Sequence, residues 1–99
     1  MSIQHTVLFE FKADADETKV RDAIASLNRL PELIKEIQAW ELVEDEGKRE
    51  GSFRFALLAT FADMAAMEHY LVHPEHQNAV AKAALILSQV AEHDYTVAS

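Results

Sequence analysis

With 99 residues, of which 49% are hydrophobic and 26% charged, the chain has the composition of a folded globular domain and the length of one, residues 1–99. Seventeen acidic against nine basic side chains give a formal charge of −8, the wrong sign for a phosphate backbone or an anionic lipid surface, so neither nucleic acid nor membrane is an expected partner. The lack of cysteine removes disulfides, thiolate metal sites, iron–sulfur clusters and a cysteine nucleophile.

From Ile3 to Lys12 the sequence alternates as a strand does, with Ile3, His5, Val7, Phe9 and Phe11 on one face. Asp14 followed by Glu17 reads as a helix start of capping-box type, and Val20, Ala23, Ile24, Leu27 and Leu30 recur at helical spacing. Pro31 ends or kinks that helix, because the residue before a proline is pushed out of the α region. A second strand is expected over Ile37–Val43. The charged, glycine-bounded run Glu44–Gly51 then reads as a solvated hairpin connection into a third strand, Phe53–Phe61.

Asp63 is placed to cap a second helix carrying a Met64, Met67 and Leu71 stripe. His73-Pro74-Glu75-His76 interrupts the helical pattern and restarts it, with proline suited to the first helical position; Val80, Ala83, Ala84 and Leu87 continue the third helix. A last strand runs from about Gln89 to Val97. The order strand, helix, strand, strand, helices, strand predicts an α+β fold: a ferredoxin-like four-stranded antiparallel sheet with helices on one face. Residues Phe55–Ala59 are apolar on both sides of their strand, yet the helices can cover only one sheet face. A second subunit would cover the other.

The constellation with most chemical promise is Tyr70-Leu71-Val72-His73-Pro74-Glu75-His76. Two histidines three apart raise the question of a metal pair, but Pro74 between them puts His73 at the cap and His76 inside the helix, so they need not share a face. No metal and no organic cofactor are expected. At the third helical position His76 lies in the positive end of the helix dipole, which disfavours imidazolium and keeps a neutral base available. His5, on the apolar face of the first strand, reads as a hydrogen-bonded core residue unless it shares a cavity with Tyr70 and His76. Asp94 can orient a histidine from the last strand, although the alternation there could equally turn Tyr95 inward and Asp94 away.

The opening Ile3–Lys12, the strand end Ala59-Thr60-Phe61 before Asp63, the Tyr-x-x-His-Pro-x-His element at Tyr70–His76 and the terminal Asp94-Tyr95 together resemble the stress-responsive A/B barrel (Dabb) domain family, of the dimeric α+β barrel group. The resemblance covers nearly the whole chain. It implies a homodimer whose two sheets pack face to face. The family includes a plant polyketide cyclase that performs an aldol-type closure without metal or organic cofactor, and the resemblance implies acid/base roles for Tyr70 and His76, with Asp94 supporting His76. It also implies pocket roles for His5, His73, Leu27 and Phe55; Leu27 and Phe55 stand where that cyclase carries a tyrosine and a histidine, and so make a more apolar cavity.

Two functions follow as expectations. One is a cofactor-independent lyase or cyclase acting on a small hydrophobic carbonyl or polyketide-like compound. The other is a non-catalytic, stress-associated dimer that holds a small hydrophobic ligand or nothing. No apolar run approaches the ~18 residues of a membrane-spanning helix, and no basic-then-apolar leader is visible, which points to the cytoplasm.

Overall fold

Alternating side chains make β1, Ser2–Phe11, the centre of the molecule. Ile3, His5, Phe9 and Phe11 are buried on one side of it, while Gln4 and Thr6 are half-covered and Leu8 is exposed on the other. The computed structural model describes residues 1–98, and the elements after β1 are α1 (Glu17–Asn28), α2 (Leu30–Leu33), β2 (Ile37–Glu44), β3 (Phe55–Phe61), α3 (Met64–Val72), α4 (Pro74–Ala84) and β4 (Leu87–Val97). The strands form one antiparallel sheet in the order β2-β3-β1-β4. This is the α+β ferredoxin-like architecture.

The helices contribute Val20, Ala23, Leu27, Leu30, Met67, Tyr70, Ala79 and Ala83 to a core closed from below by Phe9, Phe11, Phe55, Leu57 and Phe61. At one end three phenylalanines meet. Phe9 stacks on Phe55 with ring centres 5.6 Å apart, and Phe11 meets both edge-on at 5.7 Å. Beyond them Arg54 binds Glu17 at the start of α1 and Glu44 at the end of β2, and its backbone N–H donates to Glu10 Oε2 at 2.9 Å. The guanidinium hydrogen bonds hold both glutamates below the usual carboxylate range. Exposed pairs of this kind add little to stability and serve here to fix where α1 meets the hairpin.

Local signals place most boundaries. Asp63 caps α3, its Oδ1 accepting from the Ala66 N–H at 2.8 Å. The cap of α1 is Asp16 rather than Asp14: Lys12 to Ala15 is tied into a turn, and Asp16 Oδ1 accepts from the Thr18 N–H at 2.8 Å. Pro31 sits in the first turn of α2, where its missing N–H costs nothing. β3 starts two residues later than its apolar run, and β4 two residues earlier. The β2–β3 connection is an internally bonded turn in which Lys48, with φ 50°, takes a left-handed conformation and its N–H donates to Asp45 Oδ2 at 2.6 Å.

Phe55, 3% exposed and packed on two other rings, is a core residue. Phe55→Ala should therefore lower the unfolding free energy by roughly 3–5 kcal/mol, read from urea denaturation monitored by far-UV circular dichroism. A loss below about 1 kcal/mol would show that Phe55 is not packed in the aromatic cluster of β1 and β3.

Candidate functional site

The break between α3 and α4 organises the site. His73 is extended (φ −64°, ψ 135°), ends α3 and caps α4, its Nδ1 accepting from the Glu75 N–H at 3.1 Å. Pro74 is then the first helical residue and His76 the third. The sharp change of direction sets the Tyr70 and His76 rings with centres 4.3 Å apart. His76 Nδ1 lies 3.0 Å from the Leu71 carbonyl oxygen. A carbonyl can only accept, so Nδ1 carries the proton and Nε2 is left with its lone pair.

These rings face a cavity of about 240 Å³ between the sheet and the α3–α4 layer. His5, Tyr70 and His76 supply its polar wall; Val7, Phe9, Leu27 and Leu57 supply an apolar one. Val80 on α4 with Leu87, Val90 and Glu92 on β4 line the side where β4 is exposed. Tyr70 is only 1% exposed and packs on Phe61, at 4.9 Å between ring centres, and on Trp40. Its hydroxyl has no hydrogen-bond partner among the described residues, yet no side-chain polar atom among them is both fully buried and unpaired. The hydroxyl therefore opens into the cavity.

The surroundings set the protonation of both rings. Burial pushes the Tyr70 phenol well above its ordinary value, with the Glu92 carboxylate acting in the same direction. Tyr70 is a neutral donor at physiological pH. Burial pulls His76 below the ordinary imidazole value; the hydrogen bond to the Leu71 carbonyl is the main opposing effect, and the charges of His5, Glu92 and His73 contribute less, the histidines lowering the value and the carboxylate raising it. The result is a neutral imidazole with an open Nε2 beside a neutral phenol.

His5 lies opposite Asp94 in the β1–β4 register, so both side chains point to the helix-covered face. His5 Nδ1 is 2.5 Å from Asp94 Oδ1. This corrects the expectation that Asp94 reaches His76, since the register commits the carboxylate to the strand neighbour and the Leu71 carbonyl already occupies His76 Nδ1. The same register turns Tyr95 to the opposite sheet face, where it is half exposed. Two expected pocket residues lie elsewhere: Phe55 is held in the phenylalanine cluster, and the His73 ring is taken up in capping α4. Leu27 does line the cavity. Leu57 and Glu92 also line it, and each lies two residues from a position singled out in the sequence, Phe55 and Asp94, on the same strand face. Period two was the available signal.

Among the described residues no group of three or more histidine, aspartate or glutamate side chains is arranged to hold a metal ion, and no helix is long and apolar enough to cross a membrane.

The fold and the Tyr-x-x-His-Pro-x-His turn define a class: the chain belongs to the stress responsive A/B barrel domain family, Dabb, which it matches over residues 3–97. An uncharacterized protein of Streptomyces coelicolor is 31% identical over 81 residues, spanning 80% of this chain and 84% of that one. A dimeric ferredoxin-like protein of unknown function from Thermobifida fusca superposes with a TM-score of 0.87 at 27% identity, covering 98% of this chain and 92% of that one. The hydroxynitrile lyase of Passiflora edulis shares the fold, with a TM-score of 0.88 at 18% identity over 98% of this chain and 94% of that one.

The His76 environment has a consequence in solution. Its midpoint in an NMR titration should lie below the ordinary imidazole value of 6.5. Because the folded value is the lowered one, the stability linked to this ring is complete above pH 6.5 and is lost as acidification proceeds toward the folded midpoint. A midpoint at or above 6.5 would mean that the ring is not held in the buried cavity wall.

Proposed function

We propose that this protein is a homodimeric, cofactor-independent lyase or cyclase that performs acid–base chemistry on a small, neutral, hydrophobic carbonyl compound. The observation that carries this reading is the Tyr70–His76 pair, a neutral donor and a neutral base 4.3 Å apart between ring centres on the wall of a mostly apolar cavity. With a carbonyl oxygen at the Tyr70 hydroxyl, His76 Nε2 takes a proton from the adjacent carbon. The electron pair moves onto the oxygen, and the enolate that develops is held by the phenolic O–H. Because burial opposes ionisation of Tyr70, the phenol gives a hydrogen bond without giving up its proton. The apolar walls hold the rest of the substrate and keep water from the enolate. A hydroxynitrile lyase among the proteins of this fold supports lyase chemistry by analogy alone.

The dimer rests on a different observation. The sheet face away from the helices exposes Leu8, Val43 and Tyr95, and with Ala56 and Phe53 the first two line a groove beside the β2–β3 turn. A second copy packed sheet to sheet would bury this face, and the Thermobifida fusca neighbour is described as dimeric. Sedimentation equilibrium at micromolar concentration should give twice the 11.1 kDa chain mass; a stable monomer would refute the assembly.

Proton abstraction can be followed without the natural substrate, as exchange of α-hydrogens for deuterium in a neutral apolar ketone such as 1-phenyl-2-propanone. The protein should accelerate this exchange. His76→Ala should reduce the acceleration by on the order of 10²–10⁴-fold while the fold is retained. Tyr70→Phe should lower kcat more than it raises KM, since its hydrogen bond strengthens only as charge develops. Binding of the ketone with no exchange would leave a small-molecule-binding dimer as the function.

A further inference from the structure

Asp94 is attached to a histidine that the chemistry above does not use. His5 is 3% exposed, its Nδ1 is bound to the carboxylate, and its Nε2 has no partner among the described residues. Since none of their side-chain polar atoms is both buried and unpaired, Nε2 keeps an open side, and the open space that His5 lines is the cavity. We propose that Asp94 is a positioning residue for His5: it holds the ring as the Nδ1–H tautomer and presents Nε2 to the cavity as a second proton acceptor, separate from His76.

The argument is one of donor and acceptor inventory. An ionised carboxylate can only accept, so the ring atom facing it must be the one that carries hydrogen. Opposed strand residues on one face hold this geometry through the backbone, because His5 and Asp94 are direct partners in the β1–β4 register. The cavity wall then presents two acceptors, Nε2 of His5 and of His76, with the Tyr70 hydroxyl as donor. The Tyr70 ring centre lies 6.1 Å from that of His5 and 4.3 Å from that of His76. Such a set is complementary to a neutral ligand that offers one carbonyl acceptor and two acidic hydrogens, on oxygen or on carbon next to a carbonyl. The wall carries no lysine or arginine, and its one carboxylate is Glu92 on the exposed β4 side. Ligands with a carboxylate or phosphate group find no cation there.

This assignment rests on the proposed acid–base site for its meaning, but its test needs no substrate. The two ring nitrogens of each histidine can be read by long-range ¹H–¹⁵N correlation NMR of the labelled protein at about pH 9, above the ordinary imidazole range. In the native chain His5 should be the Nδ1–H tautomer. In Asp94→Asn the carboxamide can donate to Nδ1, so the protonated and unprotonated nitrogen resonances of His5 should change places, while those of His76 stay where the Leu71 carbonyl fixes them. Asp94→Ala should leave His5 as a mixture of tautomers. Retention of the native tautomer in both variants would overturn the proposal, as would an Nε2–H tautomer in the native chain. A residue that only braced the strands would change thermal stability without exchanging the two resonances. If the tautomer responds as stated and ketone exchange is absent, the positioning role stands and the catalytic reading falls.

Discussion

One covalent constraint underlies the site: the ring of Pro74. Proline has no N–H and disfavours the α region for the residue before it, so α3 cannot run on through His73. The chain ends one helix, takes a single extended residue and begins another in the same layer. Tyr70, in the last turn of α3, and His76, in the first turn of α4, thereby meet ring to ring. The same bend brings the free Leu71 carbonyl to His76 Nδ1. A helix C-terminus leaves such carbonyls unpaired, and here one of them selects the tautomer of the neighbouring imidazole.

Local chemistry of this sort could be read from the sequence. His73 as cap, Pro74 as first helical residue, His76 as third, and Asp63 as the cap of α3 are each decided within a few residues. The alternation of β1 likewise identifies its buried face, because Phe9 and Phe11 leave no other choice. The Asp14 reading failed for a local reason too: two aspartates stand near the start of α1, and the turn at Lys12–Ala15 decides between them.

The partner of Asp94 could not be read in the same way. It depends on the register between β1 and β4, which are 89 residues apart at the His5–Asp94 contact, and β4 is an edge strand with no fully buried side chain to fix its phase. A slip of one residue would have turned Tyr95 inward and Asp94 out. Phe55 and Leu57 illustrate a related limit. Both lie on the helix-covered face of β3, and only the position of Phe9 and Phe11 shows that one belongs to an aromatic cluster and the other to the cavity.

What stands behind each imidazole gives the two histidines different work. Behind His76 is a neutral carbonyl, and the ring sits at the N-terminus of α4, where the helix dipole and burial both oppose a positive charge. A proton taken there is held weakly and readily passed on. Behind His5 is a carboxylate, so a proton arriving at Nε2 turns the pair into an imidazolium beside an anion, with no net charge left on the pair. Tyr70 is in ring contact with both histidines, neutral throughout, and its hydroxyl can hydrogen-bond to the same ligand oxygen before and after the proton moves. A largely apolar pocket can thus handle protons on a neutral ligand at two imidazoles held in different environments, with the carboxylate that lines it, Glu92, set on the exposed β4 side.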